Sequence, residues 1–99
     1  MNVDLIRENG EVVHSVTDRT GMVRRAADAL DGASRLLQYV DEYGDTYFNK
    51  LQMPDLTSDW RAARATVRTP DDARFWQDVA DLLRQCAEST HLYLKLVGE

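Results

Sequence analysis

HLYLKLVGE, residues 91–99, sets Leu92, Leu94 and Leu96 in alternation with His91, Tyr93, Lys95 and Val97. Period two is the pattern of a half-buried strand. A continued helix would also bring Cys86, Tyr93 and Val97 near one face. Ser89-Thr90 weakens that helix, however, and the alternation is the cleaner pattern. A closing strand needs a sheet to join, so the tail predicts a mixed fold and not a helical bundle.

The segment before it, TPDDARFWQDVADLLRQCAE (69–88), reads as a helix. Thr69 is placed to cap it, Pro70 suits the first helical position, and Asp71 and Asp72 face the positive end of the dipole. Phe75, Val79, Leu82 and Cys86 form one apolar row, and Trp76, Ala80, Leu83 and Ala87 the adjacent one.

At the other end, VDLIRENGEVVHSV (3–16) places two short apolar segments around Asn9-Gly10. That dipeptide predicts a β-hairpin with a two-residue type I′ turn, whose central residues need positive φ. Such a turn puts Val3, Leu5 and Arg7 on one face with Val12, His14 and Val16, leaves Ile6 and Val13 on the other, and sets Glu8 opposite Glu11.

Between these ends, TGMVRRAADALDG (20–32) predicts a helix carrying Val23, Ala26, Ala27 and Leu30, with Gly32 ending it. RLLQYVD (35–41) reads as a third strand. In YVDEYGDTYFNKLQM (39–53), Asp41, Glu42, Tyr43 and Gly44 predict a turn. Asp45 then reads as the N-cap of a helix that buries Phe48 and Leu51 and breaks near Pro54. Asn49 and Gln52 are expected to satisfy backbone groups near that break. A second helical segment follows with Leu56, Trp60, Ala63 and Val67, Trp60 being its anchor. The fold class predicted is α+β, one domain over residues 1–99. A small, mostly antiparallel sheet (the N-terminal hairpin plus two further strands) is expected to carry the helices on one face.

GDTYFNKLQMPDL (44–56) and HLYLKLVGE, with the hairpin-like start, resemble a group of short uncharacterised bacterial proteins. The resemblance covers most of the chain. Its most distinctive residues are Gly44, Asp45, Thr46, Phe48, Asn49, Leu51, Gln52 and Met53. It implies a strand–turn–helix arrangement and a bacterial source, and it carries over no activity.

The composition, 43% hydrophobic and 29% charged, is that of a globular domain. No apolar run reaches the roughly 18 residues of a membrane span, and the start MNVDLIRE has no signal-peptide pattern. Twelve basic against seventeen acidic residues give a net charge of -5, which argues against a phosphate-backbone partner. With Cys86 alone no internal disulfide can form, and a cytoplasmic location is expected.

Candidate chemistry is sparse. Cys86 sits within an apolar row, where a thiol packs as a small hydrophobe. His14 and His91 would meet only if their strands paired. No phosphate loop, HExxH or CxxC spacing occurs, so neither catalysis nor a cofactor is expected. Asp41, Glu42, Asp45 and Asn49 offer oxygen ligands for a hard cation, but their spacing departs from the EF-hand loop. The reading that remains is a small acidic protein that binds another protein, a basic one being compatible with its charge. Immunity proteins, antitoxins and inhibitors are of that type. An accessory subunit, a homo-oligomer, or a small-ligand or metal domain built on 41–49 are the alternatives. Tyr39, Asp41, Glu42, Tyr43 and Tyr47 are the candidate contact residues, since tyrosines give contact area at low entropic cost and acids steer a basic partner. The same residues could instead simply cover the sheet edge.

Overall fold

The computed structural model describes residues 1–98. The hairpin forms from β1 (Asn2–Arg7) and β2 (Val12–Thr17), but not through a type I′ turn. The Gly10 N–H donates to the Arg7 carbonyl and the Arg7 N–H to the Glu11 carbonyl, both at 2.9 Å. Gly10 takes φ 88° while Asn9 stays at negative φ, and the Asn9 side chain accepts from the Glu11 N–H. The loop is thus three residues long, with the left-handed conformation left to glycine. The extra loop residue is absorbed near Val13, because Ile6 pairs with Val12 whereas Leu5 pairs with His14. Beyond that bulge the predicted register holds, with Val3 opposite Val16.

The tail forms β4 (Leu92–Val97), antiparallel to β1, with Leu5 opposite Leu94 and Val3 opposite Leu96. The sheet is completed by β3 (Asp45–Phe48) on the far side of β4, in the order β2-β1-β4-β3. The α+β class and the antiparallel sheet are as expected; the identity of the third strand is not. Val3, Leu5, Phe48, Leu94 and Leu96 point one way into the core, and α1 (Met22–Leu30), α2 (Met53–Ala63) and α3 (Pro70–Ala87) cover them. Phe75, Val79, Leu82 and Trp60 lie in that core, as the alternation of the tail predicts. The Trp60 and Phe75 rings meet edge to face at 6.0 Å between centroids. Trp60 and Trp76 are cross-bonded, each indole N–H donating to the other's carbonyl, at 2.9 and 2.8 Å. Two helices are thereby pinned at one level.

RLLQYVD is not a strand. Leu37–Tyr39 is a turn of 3-10 helix, and the cause lies downstream. The carboxylate of Asp59, itself buried in α2, accepts the backbone N–H groups of Arg35, Leu36 and Leu37 at 2.8 to 3.1 Å. One acceptor serving three successive donors curls the backbone and removes those N–H groups from any ladder. Leu37 is then buried while Leu36 is half-buried.

The reading of 44–53 also needs correction. Asp45 opens a strand and caps nothing. Thr46 and Phe48 face the core side opposite Leu96 and Leu94, and Asp45 and Tyr47 face the other way. The helical cap is Asn49, in a reciprocal box: its side chain accepts from the Gln52 N–H, and its own N–H donates to the Gln52 side chain. A 3-10 turn, Lys50–Gln52, leads into α2, where Pro54 sits in the first turn. Pro54 therefore starts the helix and does not break it. Leu51, expected to be buried, is 88% exposed.

α1 begins at Gly21 (φ 74°), with Asp18 accepting from the Met22 and Val23 N–H groups, and ends at Asp31 and Gly32, both left-handed. Thr69 caps α3 from the expected position, accepting from Asp72.

Candidate interaction surface

The five predicted contact residues follow one another from the 3-10 turn to β3. Tyr39 ends the 3-10 turn and is 68% exposed. Asp41 shapes the next turn: its N–H donates to the Thr46 hydroxyl, and its carboxylate accepts the Tyr43 N–H at 2.9 Å. Tyr43 is thereby held at the apex, 78% exposed. Glu42 leans back onto α1, where its carboxylate lies 2.7 Å from the Arg24 guanidinium. The turn is seated against the end of the sheet by the Gly98 N–H donating to the Gly44 carbonyl at 2.8 Å.

Tyr47 stands on the face of the sheet away from the helices. Lys95, on the neighbouring strand, holds its ammonium 5.5 Å from the Tyr47 ring centre and 3.7 Å from the Asp45 carboxylate. The Tyr47 hydroxyl first, and then Asp45 and Asp4, raise the pKa of that ammonium. Lys95 stays charged, and it divides Tyr47 from the half of this face formed by Asp4 and Ile6. Asp4 accepts from the Ser15 hydroxyl at 2.5 Å.

The structure thus joins Asp41 with Tyr43 in one turn and ties Glu42 to α1. Tyr47 is separately paired with Lys95. No ring contact links the three tyrosines among the described residues. Sequence reasoning missed Leu51, the most exposed large hydrophobic among the described residues, because it placed Phe48 and Leu51 on the buried side of a helix capped by Asp45. The pair Asn49 and Gln52, three apart, was the signal that the helix begins only after Phe48.

The acids of the turn do not converge. Asp41 closes its own turn, Glu42 faces Arg24 and Asp45 faces Lys95, and among the described residues no group of three His, Cys, Asp or Glu side chains could hold a metal ion. Cys86 is fully buried, and burial pushes its thiol pKa up, away from the reactive thiolate. His14 lies on β2 and His91 just before β4, with β1 between those strands, so they do not pair. His91 instead lies 3.1 Å from Glu8 on the surface. No helix is long and apolar enough to cross a membrane among the described residues.

Comparison of the chain with protein-family models, with curated proteins and with solved structures gave no match.

Proposed function

We propose that this domain acts without catalysis, by binding another protein through the 39–51 surface, in the manner of an immunity protein, antitoxin or inhibitor. One observation carries the reading. Of the six large hydrophobic residues exposed among the described residues, four (Tyr39, Tyr43, Tyr47 and Leu51) fall in this stretch of thirteen residues. Scattered exposed apolar residues are ordinary, but such a concentration beside Asp41, Glu42 and Asp45 is what an aromatic, acid-flanked contact surface requires. The partner's complementary surface is then basic, in keeping with the net charge of -5.

Tyr43→Ala and Glu42→Lys, compared with the parent chain against a candidate basic partner by surface plasmon resonance, test this. Both variants are expected to weaken binding while melting close to the parent temperature. A partner bound equally by all three chains would reject the surface. An obligate accessory subunit would behave differently again, aggregating when expressed alone, which sedimentation of the isolated chain distinguishes.

A further inference from the structure

We propose that β2 is a dimerisation edge: two copies of this chain pair their β2 strands antiparallel across a twofold axis, merging their four-stranded sheets into one.

The first ground is the unused backbone of the strand. The Asp18 N–H donates to the Met1 carbonyl, and the register runs regularly from Asn2–Thr17 to Leu5–His14. Antiparallel pairs alternate, so Val16 and His14 turn their peptide groups inward to β1, and Thr17 and Ser15 turn theirs outward. The outward groups form a ready ladder. Edge strands that must stay single are blunted with lysine, proline, inward charges or bulges. β2, VVHSVT, has no lysine, proline or inward charge; its bulge near Val13 leaves residues 14–17 in regular register, and Val12 and Val13 are exposed by 51% and 42%. The opposite edge differs. β3 is four residues long, is shut off by the Asn49–Gln52 box, and has the Asp45–Lys95 pair beside it.

The second ground identifies the occupant. Between β2 and α3 runs a groove of about 400 Å³, whose charged walls are Arg19 and Arg74 against Asp71 and Asp78. These charges are barely used within the chain. Arg74 reaches Asp71 only at 4.0 Å, both being at least 75% exposed, and among the described residues Arg19 and Asp78 make no ion pair. A twofold interface brings a patch against itself, so the patch must be complementary to itself. Two cations and two anions flanking one open strand meet that condition, whereas the acidic remainder of the surface would repel a second copy. The dimer would leave β3, at the other end of the sheet order, uncovered. Each assembly would then present two 39–51 surfaces, a bivalent arrangement.

Sedimentation equilibrium of the full chain, over a broad concentration series at low salt, is the test. The expected result is a reversible dimer of twice the 11.3 kDa chain mass. Val13→Lys, at an exposed site, and Thr17→Pro, at an outward N–H, should each raise the dimer dissociation constant by about tenfold or more. Arg74→Glu should weaken the dimer, and adding Asp78→Arg to it should restore association. Tyr43→Ala should leave it unchanged. Circular dichroism checks that each variant is folded, and should Thr17→Pro unfold the chain, Val13→Lys decides. A monomer at every concentration overturns the proposal, as does a dimer indifferent to Val13→Lys or one lost with Tyr43→Ala. Loss of partner binding in Tyr43→Ala is read separately, so the two surfaces stand or fall independently.

Discussion

The guanidinium of Arg25 lies 2.6 Å from the carboxylate of Asp72, forty-seven residues further along the chain, and fastens α1 to the first turn of α3. Asp72 is 1% exposed and also accepts from the Thr20 hydroxyl and the Arg68 N–H, while the Arg25 Nε is buried without an acceptor among the described residues. Removing the carboxylate leaves several donors stranded. Asp72→Asn is expected to destabilise the domain by roughly 2–3 kcal/mol in urea unfolding. The Thr20 hydroxyl, with Arg68 and Arg25 behind it, overcomes the opposing effect of burial and lowers the Asp72 pKa below the ordinary 3.8. A depressed acid stabilises the fold above its unfolded pKa. That contribution should be complete above about pH 5 and disappear as pH falls below 3.8 through the native value, and the acid limb of a stability–pH curve should flatten in Asp72→Asn.

Asp59→Ala should cost about 2–3 kcal/mol, since it orphans backbone donors of Arg35, Leu36 and Leu37. Hydrogen exchange would localise the effect, with protection lost first at those three amides. Uniform loss across the domain would show that the segment is held by other contacts.

The cap that sequence assigns to Asp45 belongs to Asn49, four residues on. Asn49→Ala removes one half of the capping box, the acceptor of the Gln52 N–H, and is expected to lower stability by about 1 kcal/mol. Asp45→Ala removes a strand residue paired with a part-exposed lysine and should change it by less than about 0.5 kcal/mol. Paired thermal melts decide the order.

A methyl group at Gly98 would press into the backbone of Gly44 and Glu42. Gly98→Ala is expected to destabilise by about 1–3 kcal/mol and to loosen the turn that presents Tyr43, because backbone yields less readily than a side-chain tip. Amide shifts of Glu42 to Gly44 in NMR spectra should move together; unmoved shifts would refute the coupling.

Glu42→Lys also removes the exposed pair with Arg24, which solvent screening leaves weak. Its effect on a basic partner should appear chiefly in the association rate and shrink with added salt. An effect confined to the dissociation rate would place Glu42 inside the contact and not at its rim.

The elements legible in the sequence were those whose causes are local. Thr69-Pro70 with two aspartates starts α3, alternation makes β4, and Asn9-Gly10 turns the hairpin, although glycine alone takes the left-handed position. The third strand was not legible for two physical reasons. RLLQYV has strand-like apolarity, but its amides are claimed by Asp59, more than twenty residues away, which no local pattern reveals. DTYF is only four residues long, and a leading aspartate imitates a helix cap. The candidate surface inherits this error in part: the exposure of Tyr43 was foreseen from the turn, but that of Leu51 required knowing where the helix begins.

Both tryptophans of the chain, Trp60 and Trp76, belong to the single cross-bonded joint between α2 and α3. Indole fluorescence of this protein is therefore a gauge of one seam. A shift in its colour on mixing with a partner would mean that this seam has moved or that the partner covers the half-buried Trp76. Docking confined to Tyr43 should leave the colour unaltered and be seen instead in the tyrosine signal.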